Sequence, residues 1–155
     1  MIAILGAGLA GLAAARRLRA RGVACVLFDK GRTPGGRMAT RRAAGFAFDH
    51  GAQYLKAGDA GFADALASAG AAPWPASGGV VGVPSMSALP RRLAEGLDVR
   101  AARHVVALER DGQGWRVSHA DARALRDGAA DPPTADGPFD AVLCTLPAPQ
   151  AAPLL

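Results

Sequence analysis

The chain is 155 residues long, half of them hydrophobic, with a formal net charge of +5. That length fits one ordinary domain with a real core. The positive charge is almost all arginine, Lys30 and Lys56 being the lysines; the arginines are spread along the chain without interleaved aromatics, which excludes a nucleic-acid-binding stripe.

Ile2 to Leu5 is a short apolar strand. Gly6-Ala7-Gly8-Leu9-Ala10-Gly11 follows as GxGxxG, then an alanine-rich helical run broken at Gly22. A second apolar strand, Val23 to Phe28, ends on Asp29. Strand, glycine turn, helix, strand and acid stand in the order of a dinucleotide-binding βαβ unit. Gly6 serves the tight turn, Gly8 lets backbone approach a pyrophosphate, and Gly11 lets the helix sit close on the sheet. The helix start offers unpaired N–H groups and a positive dipole end to phosphates. Asp29 lies 18 positions past Gly11, near the spacing expected of an acid that holds ribose hydroxyls. Ala10, Ala13 and Ala14 are expected to keep the packed helix face thin, with Arg16, Arg17, Arg19 and Arg21 on its wet side.

Thr33-Pro34-Gly35-Gly36 then reads as a turn. Arg37 follows at once, placed to bring a planar guanidinium to the phosphates beside the first glycine loop. Further on, Asp49 and His50 are an acid/base pair only on paper, since adjacent residues of an extended chain point opposite ways; His50 is read as structural. Gly51-Ala52 is a small pair that lets a flat ring close in.

Asp59 is a predicted N-cap for a helix carrying Phe62, Leu66 and Ala69 on one face, and Gly70 ends it. Ala71 to Gly82 reads as Pro/Gly-rich loop, with Trp74 a packed loop aromatic. Ser87 caps a helix through Glu95, with Pro90 in its first turn and Gly96 as its stop. Leu89 and Leu93 are its core contacts, and Arg91 and Arg92 its outer face. Val99 to Ser118 reads as strand, turn and strand, turning at Asp111-Gly112-Gln113-Gly114. His104 and His119 lack partners by spacing and are taken as surface or structural. Gly128 to Pro138 reads as a flexible linker. Phe139 to Leu146 is an apolar run consistent with a buried parallel strand.

Cys25 and Cys144 both fall inside apolar strands and read as small core residues. Their spacing suits neither a metal site nor a redox pair, which fits a reducing cytoplasm. No stretch is long enough to span a membrane.

Gly6 to Gly11, Asp29-Lys30 and Gly35-Gly36-Arg37-Met38 together resemble the FAD-binding N-terminus of the amine oxidase superfamily. The continuation Asp49-His50-Gly51-Ala52-Gln53-Tyr54 is similar to the bacterial renalase-like FAD-dependent oxidoreductases, as are Val83 to Leu89 and Asp140 to Pro147. The resemblance implies an α/β fold: a Rossmann-like FAD-binding parallel sheet with a β-meander and a partial substrate cap. It divides the chain into a βαβ segment over 1–52, a cap segment over 53–96 and a return to the FAD-binding domain over 97–155. It implies that Gly6, Ala7, Gly8, Leu9, Ala10 and Gly11 line the FAD pyrophosphate, Ala10 lying against it. Asp29, with Lys30 beside it, would hold the adenosine ribose. Gly36, Arg37 and Met38 would reach the phosphate or ribityl region. Gln53 and Tyr54 would sit by the isoalloxazine, with Gly51 and Ala52 allowing close backbone approach. Val105 would give its backbone to the adenine. The implied reaction passes a hydride from an amine or dihydronicotinamide-type substrate to FAD and then to oxygen. No catalytic side chain is assigned. The resembled enzymes have a second half that completes the substrate domain, so the chain is expected to be an N-terminal half or a truncated member. The other reading is a FAD- or NAD(P)-binding Rossmann module without turnover.

Overall fold

The computed structural model describes residues 1–129 and 131–155. Strand β1 (Ile2–Leu5), helix α1 (Leu9–Arg19) and strand β2 (Cys25–Phe28) form the first βαβ arm. A 3-10 turn (Gly36–Met38) leads to a hairpin of β3 (Thr40–Ala43) and β4 (Phe46–Asp49). Helix α2 (Ala60–Ser68), a second hairpin of β5 (Ala71–Trp74) and β6 (Gly79–Gly82), and helix α3 (Ala88–Ala94) come next. Then follow β7 (Asp98–Arg100), β8 (Arg103–Asp111), β9 (Gly114–Asp121) and α4 (Ala122–Arg126). Strands β10 (Thr134–Phe139) and β11 (Ala141–Cys144) and helix α5 (Ala148–Ala151) close the order.

Side-chain alternation along β1 and β2 sets the layers. The two strands run parallel in a four-stranded sheet of order β11-β1-β2-β7. Ile4 and Leu27 face one side, where they bury against Leu12 and Ala15 of α1, Leu66 of α2, and Met86, Leu89 and Leu93 in and before α3. Ala3, Leu5, Val26 and Phe28 face the other, against Val117 and Phe139 of the antiparallel meander β10-β9-β8. Each fully buried Leu, Ile or Phe in these layers contributes about 1.5–3 kcal/mol. The α/β class, the parallel sheet and the meander match the sequence reading.

Several local expectations are corrected. The packed face of α1 is Gly11, Leu12 and Ala15, whereas Ala10 and Ala13 are exposed and Ala14 half-buried. The arginines of α1 are exposed, yet two of them tie the helix to its neighbour: Arg16 donates to the Leu93 carbonyl at 3.3 Å and Arg19 to that of Gly96. Residues 71–82 are not loop. They form the β5–β6 hairpin, which admits Pro73 because β5 pairs only with β6. Trp74 is 49% exposed and not packed. Residues 134–138 of the expected linker, together with Phe139 from the expected parallel strand, form β10, antiparallel to β9; Ala130 lies outside the described residues. Cys144 is exposed because β11 is an edge strand, and Cys25 is half-buried. Burial raises the Cys25 thiol above its ordinary value, and Asp98 adds to that.

The α2 cap holds as read, with Asp59 accepting from the Phe62 N–H at 2.9 Å. Ser87 precedes α3 without a side-chain cap; its hydroxyl lies instead 3.2 Å from that of Ser85. Among the described residues no helix is long and apolar enough to cross a membrane.

Candidate cofactor cradle

Gly6 leaves β1 at φ +100°, a conformation that L side chains rarely adopt, and its N–H donates to the Phe28 carbonyl at 2.8 Å. The next two glycines do different jobs. A Cβ at Gly11 would overlap the Gly6 carbonyl oxygen, so α1 and the strand exit touch through bare backbone. A Cβ at Gly8 would meet nothing within 4 Å. Gly8 is the N-cap of α1, with no side-chain cap and no acid in the first turn. The uncapped start of α1 thus places its first-turn amides at the positive end of the helix, beside the open space at Gly8, the arrangement that suits a diphosphate.

Two further segments close on this turn. The Gly35 N–H donates to the Ala7 carbonyl at 2.9 Å. A Cβ at Gly36 would lie 3.5 Å from the Gly8 Cα. Arg37 leaves this contact with its side chain exposed. The structure thus brings GxGxxG and Gly35-Gly36-Arg37 together, as the sequence required. Met38, expected at the phosphate or ribityl region, turns its side chain the other way, into the core at 4% exposure.

Asp29 sits at the carboxyl end of β2, half-buried and pointing at the turn. Its Oδ2 accepts from the Ala7 N–H at 2.6 Å and its Oδ1 from the Gly31 N–H at 2.7 Å. Both oxygens thus brace the two loops, and each keeps a lone pair for a hydroxyl donor. Lys30 beside it is exposed. The same corner anchors β8: the Arg103 N–H donates to the Asp29 carbonyl at 2.8 Å, and the Ala102 N–H to that of Gly31 at 2.8 Å. Val105 follows on β8, an edge strand of the meander. The backbone expected to meet an adenine thus starts at the acid expected to meet its ribose.

The Asp49 to Tyr54 segment differs from its reading. Asp49 accepts from the Thr40 hydroxyl at 2.5 Å and from the Met86 N–H at 3.2 Å, joining β3–β4 to the segment before α3. His50 is exposed. Gly51 is small for a protein reason, since a Cβ there would overlap the Arg37 carbonyl oxygen. That same oxygen accepts from the Ala52 N–H at 2.8 Å, so the close approach at Gly51-Ala52 is to the chain itself. Gln53 and Tyr54 are exposed. Tyr54 runs over Gly79, whose built Cβ would lie 3.1 Å from the ring. Trp74 pairs with Gly79 across the hairpin and so shares that face.

Sequence reasoning missed one polar cluster near the Asp29 corner. Asp136 Oδ2 accepts from Arg100 at 2.6 Å and from His119 Nε2 at 2.7 Å. Burial pushes the Asp136 carboxyl up, but the His119 hydrogen bond and the Arg100 charge outweigh it and hold it below its ordinary value. A carboxylate only accepts, so Nε2 donates, and the buried Nδ1 has no hydrogen-bond partner among the described residues. His119 is therefore structural, as read, but buried and not on the surface. The 36 positions between Arg100 and Asp136 leave no spacing signal to find it.

Residues 74–155, more than half of the chain, match the profile of the flavin containing amine oxidoreductases. The chain belongs to the flavin-containing amine oxidoreductase family. Residues 4–67 also match the NAD(P)-binding Rossmann-like domain. A 4,4'-diapophytoene desaturase of Staphylococcus haemolyticus (strain JCSC1435) is 50% identical over 50 residues, covering 32% of this chain and 10% of that protein. The Staphylococcus aureus (strain Newman) desaturase is 46% identical over 50 residues, with the same coverage. Among solved structures, wild-type putrescine oxidase bound to putrescine superposes with a TM-score of 0.72 at 14% identity, over 99% of this chain and 59% of that one. Thermovibrio ammonificans THI4 superposes with a TM-score of 0.61 at 17% identity, over 93% of this chain and 56% of that one. At such identities these likenesses show the fold. The chain thus spans a little over half the length of these structural relatives, and the desaturase matches cover a tenth of theirs.

The family's cofactor is FAD, and the residues present fit it. The open Gly8 turn and the uncapped start of α1 suit its diphosphate, and Asp29 stands where a strand-end acid meets ribose.

Proposed function

We propose that this chain is the FAD-binding portion of a renalase-like oxidoreductase acting on an amine or dihydronicotinamide-type substrate. The observation that carries the reading is the meeting of Gly35-Gly36 with the open Gly8 turn, at a helix start that no side chain caps, with the exposed Arg37 next in the chain. Bound FAD would supply the hydride acceptor for the reduced substrate and the route for its electrons to oxygen. The protein's part is to bind and orient. Leu9, Ala10 and Gly11 offer amides and Arg37 a cation to the diphosphate, while Asp29 and the Val105 backbone hold the adenosine end. Gln53, Tyr54 and Trp74 form the exposed polar and aromatic face that would meet the isoalloxazine and substrate.

A second reading is cofactor binding without turnover. It is favoured by the open edge of β11, where Leu143 is 39% exposed beside Ile2 and Leu18. An apolar sheet edge of this kind is ordinarily covered.

The test is the absorbance spectrum of the purified chain, with the pigment identified after denaturation. A flavin spectrum, FAD on release, and bleaching by amines or reduced nicotinamides under anaerobic conditions are expected. A chain that stays colourless after incubation with FAD overturns the proposal. Flavin that binds but bleaches with no substrate of either class leaves the second reading.

A further inference from the structure

Gly6 turns sharply out of β1, and its carbonyl is pressed against the Cα of Gly11. What fixes that carbonyl comes from the far end of the chain. Thr145 follows β11, the strand paired with β1 in register Leu5 to Cys144. Its N–H donates to the Leu5 carbonyl at 2.9 Å. Its hydroxyl lies 2.8 Å from the same Leu5 oxygen and 3.2 Å from the Gly6 oxygen. One hydroxyl proton is thus shared between the last carbonyl of the strand and the first of the turn. Thr145 Oγ1 also lies 3.0 Å from the Cβ position built at Gly6 and 3.0 Å from that built at Gly11. The hydroxyl therefore sits in the angle where strand, turn and helix cross. Among the described residues, no other side chain donates to a carbonyl of residues 5–11.

We propose that Thr145 is a positioning residue for the diphosphate: its hydroxyl fixes the Leu5 and Gly6 peptide planes, and so the direction of the amides that follow from Gly8 to Gly11. The inference rests on the FAD reading, because that reading makes the turn a diphosphate site. Thr145 itself touches no phosphate. It acts two peptide units away, by removing the freedom of the turn to swing its carbonyls toward the anion. A carbonyl dipole rotated to that side repels phosphate as strongly as an N–H attracts it.

The test compares the full chain with T145V, which keeps the shape and removes the donor, and with T145S, which keeps the donor and removes a methyl. Dissociation constants for FAD, ADP and adenosine are measured by titration, alongside thermal melts of the FAD-free proteins. T145V is expected to bind FAD and ADP about tenfold more weakly, equivalent to about 1.4 kcal/mol for a lost hydrogen bond. Adenosine affinity should stay within about twofold and T145S within about threefold of the parent on all ligands. Equal affinities of T145V and parent for ADP overturn the proposal, as does a loss shared by ADP and adenosine, which marks general damage to the fold. If T145V does not fold, T145A, which leaves room for water, takes its place under the same criteria. Failure of the parent itself to bind FAD or ADP overturns the functional reading instead, so the two failures are distinct.

Discussion

Replacing each of two glycines in the turn by alanine separates cofactor contact from architecture. Gly8 has φ −74° and ψ −179°, values any residue adopts, and a Cβ there meets no protein atom. Alanine at a helix N-cap costs up to about 1 kcal/mol against better caps, while stiffening the unfolded chain returns about 0.4–1 kcal/mol. G8A should therefore match the parent within about 0.5 kcal/mol in urea unfolding of the FAD-free chain. Its methyl, however, occupies the space through which backbone must approach a diphosphate. Overpacking by one methyl costs about 1–3 kcal/mol, so FAD affinity should fall by about 5- to 150-fold. G11A should behave differently. Its Cβ overlaps the Gly6 carbonyl, which cannot retreat while the Gly6 N–H is bonded to Phe28 and Thr145 Oγ1 stands 3.2 Å from the carbonyl oxygen. The clash costs about 3 kcal/mol or more, and the gain in helix propensity returns about 1 kcal/mol. The net loss of about 2 kcal/mol lowers the melting temperature by about 4–8 °C for a chain of this size. Urea melts and FAD titrations on both variants decide the matter. The reasoning is refuted if G8A binds FAD like the parent, or if G8A loses as much stability as G11A.

The exposed guanidinium of Arg37 predicts that R37A weakens FAD binding about three- to tenfold, less than a buried charge would, because solvent screens it. The loss should shrink as salt is raised, and R37K should recover part of it; salt-independent loss in a titration series counts against phosphate contact. The lowered Asp136 carboxyl predicts a pH effect of definite sign. A group held more acidic in the folded than in the unfolded state stabilises fully above its unfolded value, here an ordinary 3.8, and loses that contribution as pH falls through the folded value. Thermal melts from pH 6 downward should show a decline below about pH 4 that is smaller in D136N. Parallel curves for D136N and parent would remove Asp136 from the account.

The βαβ arm was legible because each of its signals is local. Glycine spacing, strand apolarity and a strand-end acid occupy residues 2–29, and the physics that links them acts over one turn and one strand. The same holds for the Asp59 cap and the Asp111 to Gly114 turn, whose partners lie within a few residues. Reading failed where tertiary pairing overrode composition. Residues 71–82 and 134–138 carry Pro and Gly, a composition that reads as loop and linker, yet each stretch pairs in a hairpin or with a strand that supplies its missing hydrogen bonds. The α1 face failed through phase: three alanines looked like the thin face, but Gly11 must touch the Gly6 carbonyl, and that contact fixes the rotation of the helix with Leu12 and Ala15 inward.

Asp49 and Gly51 show why the candidate site was only half legible. Both fall in the segment that most narrowed the resemblance, and both turn out to serve the protein's own backbone. Asp49 bridges Thr40 to the Met86 amide, and Gly51 clears the Arg37 carbonyl. Asp29 likewise braces Ala7 and Gly31 while keeping lone pairs for a sugar. A motif residue of this sort is constrained twice, by the scaffold that sets the loops and by the ligand those loops receive. Sequence displays the sum of the two constraints without dividing them. The division is visible because a Cβ at Gly8 would meet open space and the Arg37 side chain is exposed, whereas Gly11, Gly51 and Asp49 are committed to contacts within the chain. On the proposed reading, the open turn, the exposed cation and the remaining lone pairs of Asp29 are the cofactor's share of the motif, and Gly11, Gly51 and Asp49 hold them in register.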